Sequence, residues 1–187
     1  MRRLPAGTVL AGCFLVTAVG YVLIAQFDAD TSLPVVAAGL MLFCAGLAPF
    51  GTLTTDLVMS SVPPEKAGAA SGLSETSFEF GAALGVAVLG SILTAVYRAR
   101  LEVSSLPALS PGALADVRET LGSALAAADA LGGAGAATLR IAARAAFSDA
   151  MRAAAWVSAA LAVATALLCV AAMRGTPGAT QLDRGER

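Results

Sequence analysis

The residues best suited to chemistry are two carboxylates, Glu75 and Glu79, within the stretch from Pro63 to Ser91. Residues four apart lie about 40° apart around a helix, so both acids face the same side. Acids at membrane depth are costly, and they normally face a bundle interior or a watery cavity where they exchange protons or bind cations. We therefore predict Glu79, and secondarily Glu75, as proton or cation sites. If the membrane span begins later, both acids lie instead in interfacial water.

Glycines on the same helix predict close packing against a neighbour. Gly81 and Gly85 form a small-xxx-small pair, and Gly90 extends the narrow surface. Such a surface lets another membrane helix approach closely. The Gly81/Gly85 face lies about 120° or more from the carboxylates around the helix axis. We expect one side of this helix to pack while another side lines a cavity.

Other reactive groups are scarce in the sequence. The chain has no histidine, and its three cysteines, Cys13, Cys44 and Cys169, lie far apart in apolar stretches. A cysteine in such a stretch behaves as a small hydrophobic residue. Because no nucleophile, base and metal-ligand cluster is present, we expect neither an enzyme nor a metal or cofactor site.

The composition indicates that lipid surrounds the chain. Of 187 residues, 57% are hydrophobic and 13% are charged, against roughly 25% charged residues in a soluble domain. The mean hydropathy of +0.78 means more apolar surface than one core of this length could hide. The net charge of -1 gives no basic excess for binding nucleic acid. These values predict an all-α membrane protein.

Four apolar runs are long enough to cross a bilayer as helices. Crossing a hydrocarbon core about 30 Å thick takes about 20 helical residues. The predicted transmembrane helices are about 4–27, 33–53, 78–97 and 153–173. Pro49, with Gly46 and Gly51 beside it, predicts a bend in the second of them.

The distribution of basic residues predicts the orientation in the membrane. The turn at Asp28 and Asp30 carries no basic residue. The basic residues that flank the spans on the opposite side are Arg2, Arg3, Lys66 and Arg174. Cytoplasmic loops carry the excess of Lys and Arg, so this side is predicted to be cytoplasmic. It holds both termini, the loop 57–74 and the tail 174–187.

The long segment 98–152 is predicted to be extracytoplasmic and helical. Ser110 can cap a helix that begins with Pro111, and apolar residues then recur near helical spacing as far as Leu131. Glycines follow, and residues 139–152 predict a second helix that leads into the last span. We expect a helical hairpin against the outer surface of the bundle. The alternative is that the richness in Ala and Gly leaves this segment mobile.

The residue order of one stretch resembles the sequences of a known family. Residues 64–72, PEKAGAASG, look like the cytoplasmic loop before the thirteenth span of the fourteen-span drug:proton antiporters in the major facilitator superfamily. The positions that resemble the span itself include Glu75, Thr76, Glu79, Gly81, Ala83, Leu84, Gly85, Ala87, Gly90 and Ser91. Members of this subfamily expel quaternary ammonium and other lipophilic cations.

The resemblance implies an identity for the four spans and a function. They would be the last four of fourteen, part of a major facilitator bundle in the plasma membrane that exchanges lipophilic cationic drugs for protons. The first ten spans are missing, so we expect a C-terminal fragment that does not transport alone and needs the remaining transporter helices. The alternative is a stand-alone four-helix membrane protein with an assembly or regulatory role, which forms homo-oligomers through its glycine surface.

Overall fold

The described part of the chain folds into α-helices. The computed structural model describes residues 6–27, 31–101 and 109–174, and this part of the chain contains no strand. Its elements are α1 (Ala6–Ile24), α2 (Leu33–Ser60), a 3₁₀ turn (Pro64–Lys66), α3 (Ala67–Arg100), α4 (Pro111–Glu119), α5 (Leu121–Leu131) and α6 (Gly133–Arg174). Four of them, α1, α2, α3 and α6, are long and apolar enough to cross a membrane. The prediction of an all-α, multi-pass membrane protein is confirmed.

Three helices are longer than the spans predicted within them. α2 has 28 residues, α3 has 34 and α6 has 42, which correspond to about 42, 51 and 63 Å of helix. α3 begins at Ala67, so the predicted loop 57–74 shrinks to residues 61–66. Alanine and glutamate favour helix whether or not they lie in lipid. Helix limits and membrane limits therefore differ, and the membrane limits stay predictions.

Helix α1 packs against both α2 and α6. Ala11 and Ala18 within the helix, and Ala25 directly after its end, are buried, recur every seventh residue and form one seam. The buried residues in the second half of α6 are also small: Ala155, Ser158, Ala159, Ala162 and Ala166. Small side chains let membrane helices approach closely enough for van der Waals contact along their length. These three helices form the packed group of the membrane region.

Helix α3 contacts the rest of the chain near its two ends. Its first turns lie beside the end of α2, and its last turns contact α4 and α6. From Glu75 to Val88 every residue is exposed apart from Gly85. The middle of α3 is therefore uncovered by the other described residues.

A second packed unit lies at the far end of α3, in the segment that the sequence predicts to be outside the membrane. It consists of the end of α3, the helices α4 and α5, and the first half of α6. Its largest fully buried side chains are Tyr97, Val117 and Leu139. The remaining buried residues of this unit are Leu101, Ala124, Ala128, Ala136, Ala143, Ala146 and Ala150. We call this unit the extramembrane core.

The segment predicted as one helix after Ser110 is split in two at Thr120. Ser110 caps α4, since its hydroxyl accepts a hydrogen bond of 3.3 Å from the Ala113 N–H. Thr120 has an extended backbone, φ -146° and ψ 156°, and its hydroxyl accepts a 3.1 Å hydrogen bond from the Ser123 N–H. A side chain that caps the next helix stabilises this break.

The turn between α5 and α6 depends on two glycines. Gly132 and Gly133 have φ values of 64° and 60°, which side chains with a Cβ rarely adopt. From Gly133 onward α6 is one unbroken helix to Arg174. The extramembrane core and the last membrane span are therefore joined rigidly.

Candidate functional site

A cavity of about 850 Å³ lies between the end of α2 and the start of α3. Among its described lining residues Glu75 alone is charged. Two aromatic rings, Phe50 and Phe78, contribute to the walls. The hydroxyl residues of the lining are Thr54, Thr55, Ser61, Ser74 and Ser77. One carboxylate among aromatic and hydroxyl groups suits an apolar ligand with one positive charge.

The short turn between α2 and α3 creates the cavity. Pro63 and Pro64 direct the chain into the 3₁₀ turn, where the Lys66 N–H donates a 2.9 Å hydrogen bond to the Pro63 carbonyl. Such a tight connection keeps the two helices adjacent at this end. Further from the turn, α2 and α3 are not packed against each other, and the space between the two helices is the cavity.

The hydroxyl groups of the two helices differ in their partners. Thr76 and Ser77 donate to the carbonyls of Gly72 and Leu73, four residues back, at 2.9 and 2.8 Å. The Oγ1 atom of Thr54 is buried, yet it has no hydrogen-bond partner among the described residues. A buried hydroxyl without a partner is unfavourable. Thr54 was not predicted as a site residue, because its place beside α3 depends on tertiary structure.

The second predicted acid, Glu79, lies one helical turn beyond the cavity. Its side chain is exposed, and it does not line the cavity that contains Glu75. Neither acid forms a hydrogen bond or an ion pair with another described residue. The described residues also hold no group of three or more His, Cys, Asp or Glu that could bind a metal ion. The role of both acids as coupling sites stays a prediction.

The carboxylates lie on the same face of α3 as residues that pack at its other end. Eighteen residues make about five complete helical turns. Glu79 is therefore in line with Tyr97, and Glu75 is in line with Leu93. Both Leu93 and Tyr97 contact the extramembrane core. By helical geometry the acids thus lie on the same face of α3 as Leu93 and Tyr97, although their own side chains are exposed.

Comparison with known proteins gives three informative relatives. The multidrug efflux pump LfrA of Mycolicibacterium smegmatis is 34% identical over 173 residues, which cover 92% of this chain and 34% of that pump. The tetracenomycin C resistance and export protein of Streptomyces glaucescens is 30% identical over 119 residues, 62% of this chain and 22% of that protein. The multidrug resistance protein Stp of Mycobacterium tuberculosis is 41% identical over 76 residues, 41% of this chain and 14% of Stp.

The chain is a homologue of multidrug efflux pumps of the major facilitator type. This agrees with the family resemblance of residues 64–91. The homologues are transporters, not enzymes. The chain spans about a third of the length of LfrA and less of the other two. No protein-family profile and no solved structure matches it.

In this efflux-pump homologue the predicted packing glycines of α3 have no close neighbour within the described residues. A Cβ added at Gly81, Gly85 or Gly90 would meet no atom of another element within 4 Å. Packing at these positions therefore stays a prediction about helices outside the described part of the chain.

Glycines of α1 and α2 do make close helix contacts. A Cβ at Gly20 would lie 2.8 Å from the Cα of Phe43, and a Cβ at Gly46 would lie 2.6 Å from the backbone nitrogen of Thr17. Both distances are too short for any side chain larger than hydrogen. Gly46 was predicted only as part of a bend near Pro49, and α2 continues through that proline as a helix.

Proposed function

We propose that the chain supplies four membrane helices to a multidrug efflux transporter that exchanges lipophilic cations for protons. The observation that carries this proposal is the position of Glu75, the sole charged residue among the described lining of an otherwise apolar and hydroxyl-rich cavity. The homology to efflux pumps supports the same function. The activity belongs to the whole transporter, of which this chain corresponds to about a third of LfrA.

A carboxylate in such a cavity attracts a lipophilic cation strongly. The interaction of two opposite charges grows as the effective dielectric constant falls, and a lipid-embedded cavity has a lower value than water. The rings of Phe50 and Phe78 add apolar contact and a cation–π attraction. A cation with a large apolar surface loses little hydration when it enters, so the charge and the rings act together.

Competition between proton and cation for the same carboxylate couples their movements. A proton that arrives from outside neutralises Glu75, removes its attraction for the cation and releases the drug. Glu79 lies one turn away, about 6 Å further along the helix axis and on the same face. It extends the path along which a cation or a proton passes. In this proposal Glu75 is placed before Glu79 because it lines the cavity, whereas the prediction from sequence placed Glu79 first.

The exposed middle of α3 suits contact with further helices. We expect the remaining transporter helices, or a second copy of the chain, to cover the Gly81/Gly85 surface and complete the cavity. The chain lies in the plasma membrane with both termini in the cytoplasm. Trp156 is 52% exposed and follows Arg152 by about one turn, and Trp and Arg are typical of the membrane–water interface. This supports an outer boundary near residue 152.

The test is proton-driven uptake of tetraphenylphosphonium by everted membrane vesicles from cells that express the chain from its native locus. The Glu75→Gln variant keeps the size of the side chain and removes its charge. We expect uptake to fall by about tenfold or more, since a charge-assisted contact contributes about 1.5–3 kcal/mol. Glu79→Gln is expected to lower uptake less.

Glu65→Gln is the matched control, because Glu65 is an exposed acid in the 3₁₀ turn outside the cavity. Its uptake should equal that of the unchanged protein. If Glu75→Gln and Glu79→Gln both transport normally, neither acid couples cation to proton and the proposal is wrong. If Glu79→Gln alone lowers uptake, the acid beyond the cavity binds the cation.

A further inference from the structure

One side chain links the membrane helix α3 to the extramembrane core by hydrogen bonds. Tyr97 is 1% exposed, and its single hydroxyl hydrogen is shared between the carbonyl oxygens of Val117 and Thr120, at 3.1 and 3.4 Å. The first carbonyl lies in the last turn of α4 and the second at the break between α4 and α5. Carbonyls at the end of a helix lack partners within that helix. The Tyr97 hydroxyl supplies one, and a buried carbonyl left unpaired would be unfavourable.

The direction in which the Tyr97 side chain points around the axis of α3 determines the direction in which Glu75 and Glu79 point. Tyr97 and Glu79 share a face, because they are separated by about five full turns. α3 contains no proline and is helical without interruption from Ala67 to Arg100. A rotation at Tyr97 is therefore carried along the helix to Glu79, about 27 Å away along the axis.

The contacts that resist rotation of α3 about its axis lie near its two ends, where it meets α2, α4 and α6. The residues from Glu75 to Val88 are exposed apart from Gly85, so no other described residue packs closely around the middle of the helix. At the far end Leu93, Val96 and Leu101 pack in the extramembrane core, and the exposed side chains of Arg100 and Asp149 form an ion pair. The Tyr97 hydrogen bonds depend on direction, since a hydrogen bond weakens steeply as its angle departs from linear.

We propose that Tyr97 is a positioning residue: its hydroxyl fixes the rotation of α3 and thereby sets the direction in which Glu75 and Glu79 point. The extramembrane core then serves as the anchor that orients the acids from the opposite end of the helix. The importance of this direction for transport rests on the proposed function. The rotation itself is a property of this chain and can be measured without transport.

The experiment measures which side of α3 meets water. The chain is prepared with Cys13, Cys44 and Cys169 replaced by Ala, and a nitroxide spin label is attached at Glu79→Cys or at Leu84→Cys, about 140° apart around the helix. In liposomes, collision with a water-soluble nickel chelate reports water, and collision with oxygen reports lipid. We expect position 79 to favour nickel and position 84 to favour oxygen. In Tyr97→Phe the ratio between the two positions should fall about threefold or more, because the shared hydrogen bond of the hydroxyl is lost.

Two variants separate positioning from general stability. Tyr21→Phe removes the hydroxyl of a tyrosine whose ring packs against Phe43 in the membrane region, and it should leave the ratio unchanged. Leu101→Ala weakens the extramembrane core but retains the Tyr97 hydroxyl, and it should lower the melting temperature with the ratio preserved.

The proposal is overturned if Tyr97→Phe keeps the full ratio. It is also overturned if Leu101→Ala lowers the ratio as much as Tyr97→Phe, because packing alone would then set the rotation. A changed ratio in Tyr97→Phe, combined with normal transport by both Glu75→Gln and Glu79→Gln, would leave the positioning intact and refute the proposed function instead.

Discussion

Two packed regions of this chain are built by different rules. In the membrane region, α1 meets α2 through glycines that let backbones come close, as at Gly20 and Gly46. In the extramembrane core, larger side chains such as Val117 and Leu139 are fully buried, and polar groups cap the helices. Water drives apolar groups together, whereas lipid does not, so close fit must hold membrane helices. The membrane helices of this chain therefore pack through small residues, whereas the extramembrane core packs through buried larger side chains and helix caps.

The middle of α3 follows neither rule. It exposes apolar side chains such as Phe80 and Val86, bare glycines and two acids. Segments with few buried contacts are the ones that move or bind. The candidate site thus lies where the described residues pack least. The first end of α3 is held by the turn from α2, and its last turns pack in the extramembrane core.

The largest effect is expected from Leu139→Ala in the extramembrane core. Leu139 is 0% exposed, and truncation of a buried leucine removes apolar contacts and leaves a cavity. We expect the free energy of unfolding to fall by about 2–5 kcal/mol. The measurement is urea unfolding in mild detergent, followed by circular dichroism. Ile141→Ala is the control, since Ile141 is 71% exposed on the same helix; an equal loss in both variants would contradict burial as the stabilising force.

Gly46→Val tests whether close backbone contact holds α1 and α2 together in the membrane region. The new Cβ would overlap the backbone of Thr17, so α1 and α2 must move apart along their contact. Overpacking of this kind costs about 1–3 kcal/mol. Thermal unfolding in detergent, monitored by size-exclusion chromatography, should show a lower melting temperature.

Gly85→Val is the matched variant, because a Cβ there meets no other element of the described chain. It should leave the melting temperature nearly unchanged. A loss as large as that of Gly46→Val would mean that α3 packs closely within this chain, and the contrast between the two helices would disappear.

The sequence predicts the four long apolar helices, because a long apolar run without charges is most stable as a helix in lipid. It also predicts the Ser110 cap and the shared face of Glu75 and Glu79, since both follow from local helix geometry. These features depend on residues at most a few positions apart.

Contacts between residues that are far apart in the sequence are not predicted from local patterns. Phe50 and Thr54 line the cavity only because the 3₁₀ turn folds α2 beside α3. Which glycines pack depends on the facing helix, so the pattern that singled out Gly81 applies equally to any membrane helix. Thr120 did leave a local signal, a threonine three residues before Ser123, but the apolar periodicity across the break concealed it.

Thr120→Ala should have a smaller effect, confined to the extramembrane core. It removes the hydroxyl that accepts the Ser123 N–H and caps α5. Loss of such a cap costs about 1 kcal/mol. The urea midpoint in detergent is the measurement. Thr138→Ala is the control, because that exposed hydroxyl only bonds back to the Ala134 carbonyl within α6; if both variants unfold alike, the break at Thr120 does not depend on its cap.

The smallest effect is expected from Arg100→Gln, which breaks the ion pair between the end of α3 and α6. The Arg100 Nε and Asp149 Oδ2 atoms are 3.8 Å apart, and the two side chains are 65% and 41% exposed. Water and salt screen such a pair, so its loss should change the free energy of unfolding by less than about 1 kcal/mol. Urea unfolding at low and high salt checks this. A loss comparable to that of Leu139→Ala at low salt would mean that charge pairing, and not apolar burial, holds α3 to α6 outside the membrane, and the contrast between the two regions would then need a different explanation.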